Sequence, residues 1–179
     1  ATSSAQLLHA IDWVAAQVED HHSPLHDRVD LRRIAVMGHS CGGLQAIRIA
    51  ADPRIRTAVI FNSGLLVQPR GGKSEAMEQS KDRLKLLHTP MAYINGGPTD
   101  QAWPNASDDF ARLDHVPVFF AENGVGHGGT YWTAPNGGDY AQVATAWWLA
   151  CCQPSYWRRM MWQLAHARGS VLKYDSPSA

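Results

Sequence analysis

Four short apolar runs punctuate the chain: Ile34 to Met37, Thr57 to Phe61, Met91 to Ile94 and Val116 to Ala121. Each is continuous rather than alternating, as strands covered on both faces are. Helical spacing fills the intervals. Leu7, Leu8, Ile11, Val14 and Ala15 recur at three and four over Ser4 to Val18, predicting an opening amphipathic helix with Ser4 as its N-cap. Leu44, Ile47 and Ala51 mark the buried face of a second helix that stops at Asp52-Pro53, because the residue before a proline is driven out of the helical region. Lys73 to Leu87 reads as a polar helix burying only Met77, Leu84, Leu86 and Leu87; Ala106 to Leu113 reads as a short helix and Tyr140 to Leu149 as a strongly apolar one. Trp157, Met160, Met161 and Leu164 form a further apolar stripe, which a helix packed on the sheet explains better than a membrane contact made with Arg158, Arg159, His166 and Arg168. Strands alternating with helices predict the α/β class, with a mostly parallel sheet flanked by helices. We place it in one domain over residues 1–168, followed by a flexible tail at 169–179.

Composition narrows the partners. At 179 residues the chain suits one domain, and its charges, 18% of residues, cancel to a formal net charge of zero. That balance supplies no broad field for nucleic acid or an anionic membrane, so a small or neutral molecule is the expected partner. No apolar run reaches the roughly 18 residues a membrane span needs, and Ala1-Thr2-Ser3-Ser4 lacks the regions of a signal peptide; the compartment stays open. Three cysteines, two of them the adjacent Cys151 and Cys152, argue against a disulfide framework.

Chemistry concentrates where the first strand run meets the second helix. Gly38-His39-Ser40-Cys41-Gly42 follows Arg33 to Met37 directly, the strand-turn-helix context in which G-x-S-x-G lifts a serine hydroxyl out of a sheet. Ser40 is therefore a candidate nucleophile. In that geometry Gly38 and Gly42 remove side chains that would collide, and the backbone N–H of Cys41, at the positive end of the helix, points where an oxyanion would form. The competing reading of Cys41 is a small core residue.

A serine hydroxyl needs a base, and nine histidines compete for that role. His127 ranks first because Val125-Gly126-His127-Gly128-Gly129 lies just past the fourth strand run in a loop whose glycines allow close approach. His39 flanks the serine but is expected to point away. His21, His22 and His26 cluster without a carboxylate or cysteine that would complete a metal set, so a solvated loop is the better reading. His9, His88, His115 and His166 have no supporting context. For the carboxylate that orients the base, Asn95-Gly96-Gly97-Pro98-Thr99-Asp100 places Asp100 beyond the third strand run, level with Ser40 if the two strands are neighbours. Asp108 and Asp109 rank below it, as acidic residues serving the start of the following helix.

The segment Ile34 to Gly43, the Gly97-to-Asp100 spacing and the Gly126-His127 pair resemble the α/β-hydrolase superfamily. The similarity is to its compact serine esterases, the cutinase-like, chlorophyllase-like and dienelactone-hydrolase-like branch, over residues 4 to about 150. It implies a partial α/β-hydrolase fold lacking the usual N-terminal strands, completed either by a missing N-terminal segment or by a partner chain. The resemblance also implies hydrolysis of a small-molecule or polymer ester through an acyl-enzyme on Ser40, with Asp100 as acid and His127 as base. Ser40 departs from the dienelactone hydrolases, which use cysteine there. No cofactor and no metal are implied. Trp103, Tyr131 and Trp132 flank the acid and base loops, where they would form an aromatic wall for substrate or serve as ordinary packing. A serine peptidase or amidase of the same fold, and a non-catalytic binding domain derived from it, are the competing functions.

Overall fold

The computed structural model describes residues 3–68, 79–152 and 173–175. Its sheet runs β1 (Ile34–His39), β2 (Ile55–Phe61), β3 (Met91–Asn95), β4 (Val118–Glu122) and β5 (Lys173–Asp175), in that spatial order. The first four strands are parallel throughout, which makes this an α/β fold. β5 pairs antiparallel with β4, so three residues of the segment expected as a tail are in the sheet.

Consecutive strands are neighbours, and the sheet is covered on both faces, as the continuous apolar runs require. Along β2, Ile55, Ala58 and Ile60 face one cluster while Val59 and Phe61 face the other; along β3, Met91 and Tyr93 oppose Ala92 and Ile94. Helices α1 (Ser4–Glu19), α2 (Cys41–Ile49) and α3 (Trp103–Arg112) lie on the first face, and α4 (Gly138–Cys152) lies on the second. Trp147 of α4 is wholly buried, and its indole N–H donates to Thr57 Oγ1 at 2.7 Å, tying α4 to β2.

Several boundaries differ from the sequence reading. Ser3 rather than Ser4 caps α1, its backbone N–H donating to Gln6 Oε1 at 2.9 Å. α3 starts three residues earlier than expected, because Pro104 in its first turn is preset for helix. The polar helix expected over 73–87 is, among the described residues, only a 3₁₀ turn at Lys81–Leu86; Ser80 stands extended before it and its side chain accepts the Asp82 N–H. Residues 73–78 and the apolar stripe after Trp157 lie outside the described residues.

Ion pairs gather at the N-terminal rim of the sheet. Asp30 pairs with Arg32 and Arg33 ahead of β1, and Arg54, just before β2, pairs with Asp12 and Asp52. Among the described residues no helix is long and apolar enough to cross a membrane. The opposite rim carries the candidate chemistry.

Candidate functional site

Ser40 forms the single-residue turn between β1 and α2, with φ 53° and ψ −119°, a left-handed conformation a non-glycine residue seldom adopts. Hydrogen bonds on both sides of the residue hold it there. Its N–H donates to the Phe61 carbonyl at 3.0 Å, while its own carbonyl accepts the Gly43 N–H at 2.9 Å and the Ser63 hydroxyl at 2.7 Å. Close approach is what fixes two of the glycines. A Cβ on Gly38 would lie 2.2 Å from the Gly42 carbonyl oxygen, and one on Gly43 would lie 2.4 Å from Ser63 Cβ. Gly42 differs from the sequence reading: a Cβ there meets nothing within 4 Å, so its backbone, not its missing side chain, is what Gly38 must clear.

His127 and Asp100 converge on this turn from the ends of β4 and β3. His127 Nδ1 lies 2.6 Å from Asp100 Oδ1, and its Nε2 lies 3.0 Å from Ser40 Oγ. A carboxylate only accepts, so Nδ1 carries the imidazole proton and Nε2 is left to accept from the serine hydroxyl. Asp100 is wholly buried on its side chain and His127 is 29% exposed, so the line of groups runs from the interior to an open end. Burial works to raise the Asp100 pKa, but hydrogen bonds from the Ala102 N–H, His127 and Asn62 outweigh it and hold the carboxyl below its usual value.

The strands that carry Ser40 and Asp100 are not adjacent, because β2 separates β1 from β3. The end of β2 fills that gap. Asn62, fully buried at φ 45°, spends both amide protons: Nδ2 donates to Asp100 Oδ2 at 2.7 Å and to the Gly126 carbonyl at 2.9 Å. The sequence reading treats Asn62 as the start of a loop and misses it. The only signal available was an asparagine directly after a strand, level with two other polar strand ends. His39, beside the serine in sequence, reaches the base loop, its Nε2–H donating to the His127 carbonyl at 2.7 Å.

Ser40, Cys41 and His127 open onto a cleft of about 160 Å³ walled by Leu44, Leu66 and Ala102. Trp103, Tyr131 and Trp132 do not line it. Trp103 packs against the core and donates its indole N–H to Glu122 Oε2. Tyr131 stacks edge-on against Phe61, Tyr140 and His39, and Trp132 is 81% exposed at the rim.

Asp108 and Asp109 fall in the second half of α3, because that helix begins at Trp103, and so do not serve its start. Asp109 is buried, accepting from Lys81 Nζ at 2.6 Å, the Leu65 N–H at 2.8 Å and the Tyr93 hydroxyl at 3.2 Å. Burial pushes its pKa up to about 6 against the opposing pull of Lys81. His21 and His26 bond to each other at 2.9 Å on the surface, and among the described residues no group of three or more His, Cys, Asp or Glu is arranged to hold a metal ion.

Comparison with known proteins bears on the same regions. The family model for PET hydrolase-like proteins matches residues 1–63, from α1 through the serine turn to Ser63. No curated protein matches the chain in sequence. Among solved structures, the esterase domain of a Rhodothermus marinus protein superposes with a TM-score of 0.58 at 20% identity, over 84% of this chain and 69% of that one.

Proposed function

From the premise that this chain has an α/β-hydrolase fold, we propose that it is a serine hydrolase acting on carboxylic esters, with Ser40 as nucleophile, His127 as base and Asp100 as orienting acid. One observation carries the reading: the continuous hydrogen-bonded line from Ser40 Oγ through both His127 nitrogens to a buried Asp100 carboxylate, opening on a cleft. Ester hydrolysis is favoured among acyl transfers by the company the chain keeps, a PET hydrolase-like family model and an esterase domain.

In this mechanism His127 Nε2 takes the Ser40 proton as Oγ attacks the ester carbonyl, and Asp100 stabilises the imidazolium that forms. The carbonyl oxygen becomes an oxyanion. Gly43 and Leu44 spend their N–H groups on the Ser40 carbonyl. The donor proposed for the oxyanion is therefore the Cys41 N–H, at the first position of α2 and the positive end of its dipole. Collapse of the tetrahedral species breaks the ester C–O bond, and His127 returns the proton to the departing alkoxide. Water, deprotonated by the same nitrogen, then attacks the acyl-enzyme; collapse breaks the bond between the acyl carbon and Ser40 Oγ, His127 returns the proton to Oγ, and the acid leaves. Buried Asp100 keeps its charge through the cycle because the donors around it hold its pKa down.

Turnover of p-nitrophenyl esters of graded acyl length tests the proposal. Ser40→Ala is expected to lower kcat by about 10⁶-fold, the scale set by loss of a serine nucleophile in comparable sites. Ester hydrolysis surviving in Ser40→Ala would refute the assignment. Faster cleavage of matched anilides would move the substrate class to amides, and absence of a fluorophosphonate adduct on Ser40 would favour a binding domain.

A further inference from the structure

We infer that Asn62 is the positioning residue that holds the acid and the base loop in register, an inference that rests on the proposed roles of Asp100 and His127. Topology sets the requirement. Ser40 leaves β1 and Asp100 leaves β3, so the strand between them must carry whatever spans the two, and Asn62 is the first residue past its end. The Asn62 N–H continues the ladder by donating to the Ile94 carbonyl at 2.9 Å, and the backbone then turns left-handed. Asparagine tolerates that region better than any other side chain except glycine. Glycine, however, brings no amide.

The two protons of that amide go to two different parts of the site. One reaches the Asp100 oxygen that His127 does not use, and the other reaches the carbonyl of Gly126, the residue before His127. Rotation of the carboxylate would break the first bond, and retreat of the loop would break the second. The Ala102 N–H also holds Asp100 and the Gly96 carbonyl also holds Gly126, but Asn62 reaches both with one side chain and so ties the acid to the base loop. Its neighbours grip the serine turn in the same way: Phe61 accepts the Ser40 N–H, and Ser63 donates to the Ser40 carbonyl. Phe61, Asn62 and Ser63 form one tripeptide that references all three groups to the end of β2.

Asn62→Gly tests this, since glycine keeps the left-handed backbone and deletes only the amide. Loss of a hydrogen bond to a charged group corresponds to a fall in kcat of about 10- to 100-fold, with KM held within about two-fold. A second readout is independent of turnover. The proton shared by His127 Nδ1 and Asp100 is expected as a far-downfield NMR resonance in the native protein and in Ser40→Ala, and broadened into solvent exchange in Asn62→Gly. If Asn62→Gly does not fold, Asn62→Asp carries the test: it has the same shape and can hold at most one of the two bonds, so it too must lose kcat and the protected proton. An unchanged kcat together with an unchanged downfield proton in either variant overturns the inference. Esterase activity persisting in Ser40→Ala instead overturns the nucleophile assignment, while the proton still reports on Asn62.

Discussion

Replacing Gly96 by alanine should disable the site from behind. Gly96 follows β3 directly, is buried, and packs its α-carbon against the loop that carries His127. A Cβ there would lie 1.9 Å from the Gly126 carbonyl oxygen, 2.4 Å from its carbon and 2.6 Å from its nitrogen, all backbone atoms with no rotamer to escape into. Real Cβ contacts essentially never fall below 3.0 Å, so the loop must retreat by about 1.1 Å at least. That retreat opposes the 2.8 Å bond from the Gly126 N–H to the Gly96 carbonyl and the 2.9 Å bond from Asn62 to the Gly126 carbonyl, and it draws His127 away from Ser40. A misplacement of roughly 1 Å costs about 10²-fold in rate, and overpacking of this kind costs about 1–3 kcal/mol of stability. The assay is kcat/KM on a p-nitrophenyl ester, read beside thermal unfolding, with Gly128→Ala as the control. Gly128 sits in the same loop with open space around its α-carbon. Gly96→Ala retaining more than about a third of native kcat/KM, or Gly128→Ala losing as much, would show that contact at Gly96 does not set the position of His127.

Two further outcomes follow from contacts in and beside the site. Gly42→Ala should fold and stabilise α2 by roughly 0.5–1 kcal/mol, whereas Gly38→Ala, whose Cβ meets the Gly42 backbone at 2.2 Å, should yield little folded protein; urea unfolding and soluble yield separate them. Asp109, raised to about 6, binds its proton more tightly folded than unfolded, so its contribution to stability is greatest below about pH 4 and is lost as pH rises through 6. Unfolding of native protein against Asp109→Asn between pH 4 and 7 should show the difference shifting by up to about 3 kcal/mol.

The four parallel strands were legible because their apolar runs are continuous, and the candidate site residues stood out as polar groups placed just after them. Ser40, Asp100 and His127 each follow a strand of the sheet, and the structure brings all three within hydrogen-bond reach. Asn62 was not legible, since its part depends on β2 lying between β1 and β3, and strand order is not written in periodicity. The same holds for Asp109: its burial follows from a partner, Lys81, that local pattern cannot pair with it. Trp103 and Tyr131 flank the right loops in sequence, yet helix phase turns one toward Glu122 and ring stacking holds the other against Phe61 and Tyr140. The Gly42 reading failed because a motif names positions without saying which of two facing backbones needs the room.

The ion pairs at the N-terminal rim, Asp30 with Arg32 and Arg33 and Arg54 with Asp12 and Asp52, lie across the full length of the strands from the cleft. Asp30–Arg32 and Asp52–Arg54 are bidentate, and Asp30 and Arg54 each hold two partners, so these pairs are worth more than lone exposed ones, although salt still screens them. A surface tether or an immobilising tag attached to that rim, clear of Asp30, Arg32, Asp52 and Arg54, would therefore leave the cleft facing outward.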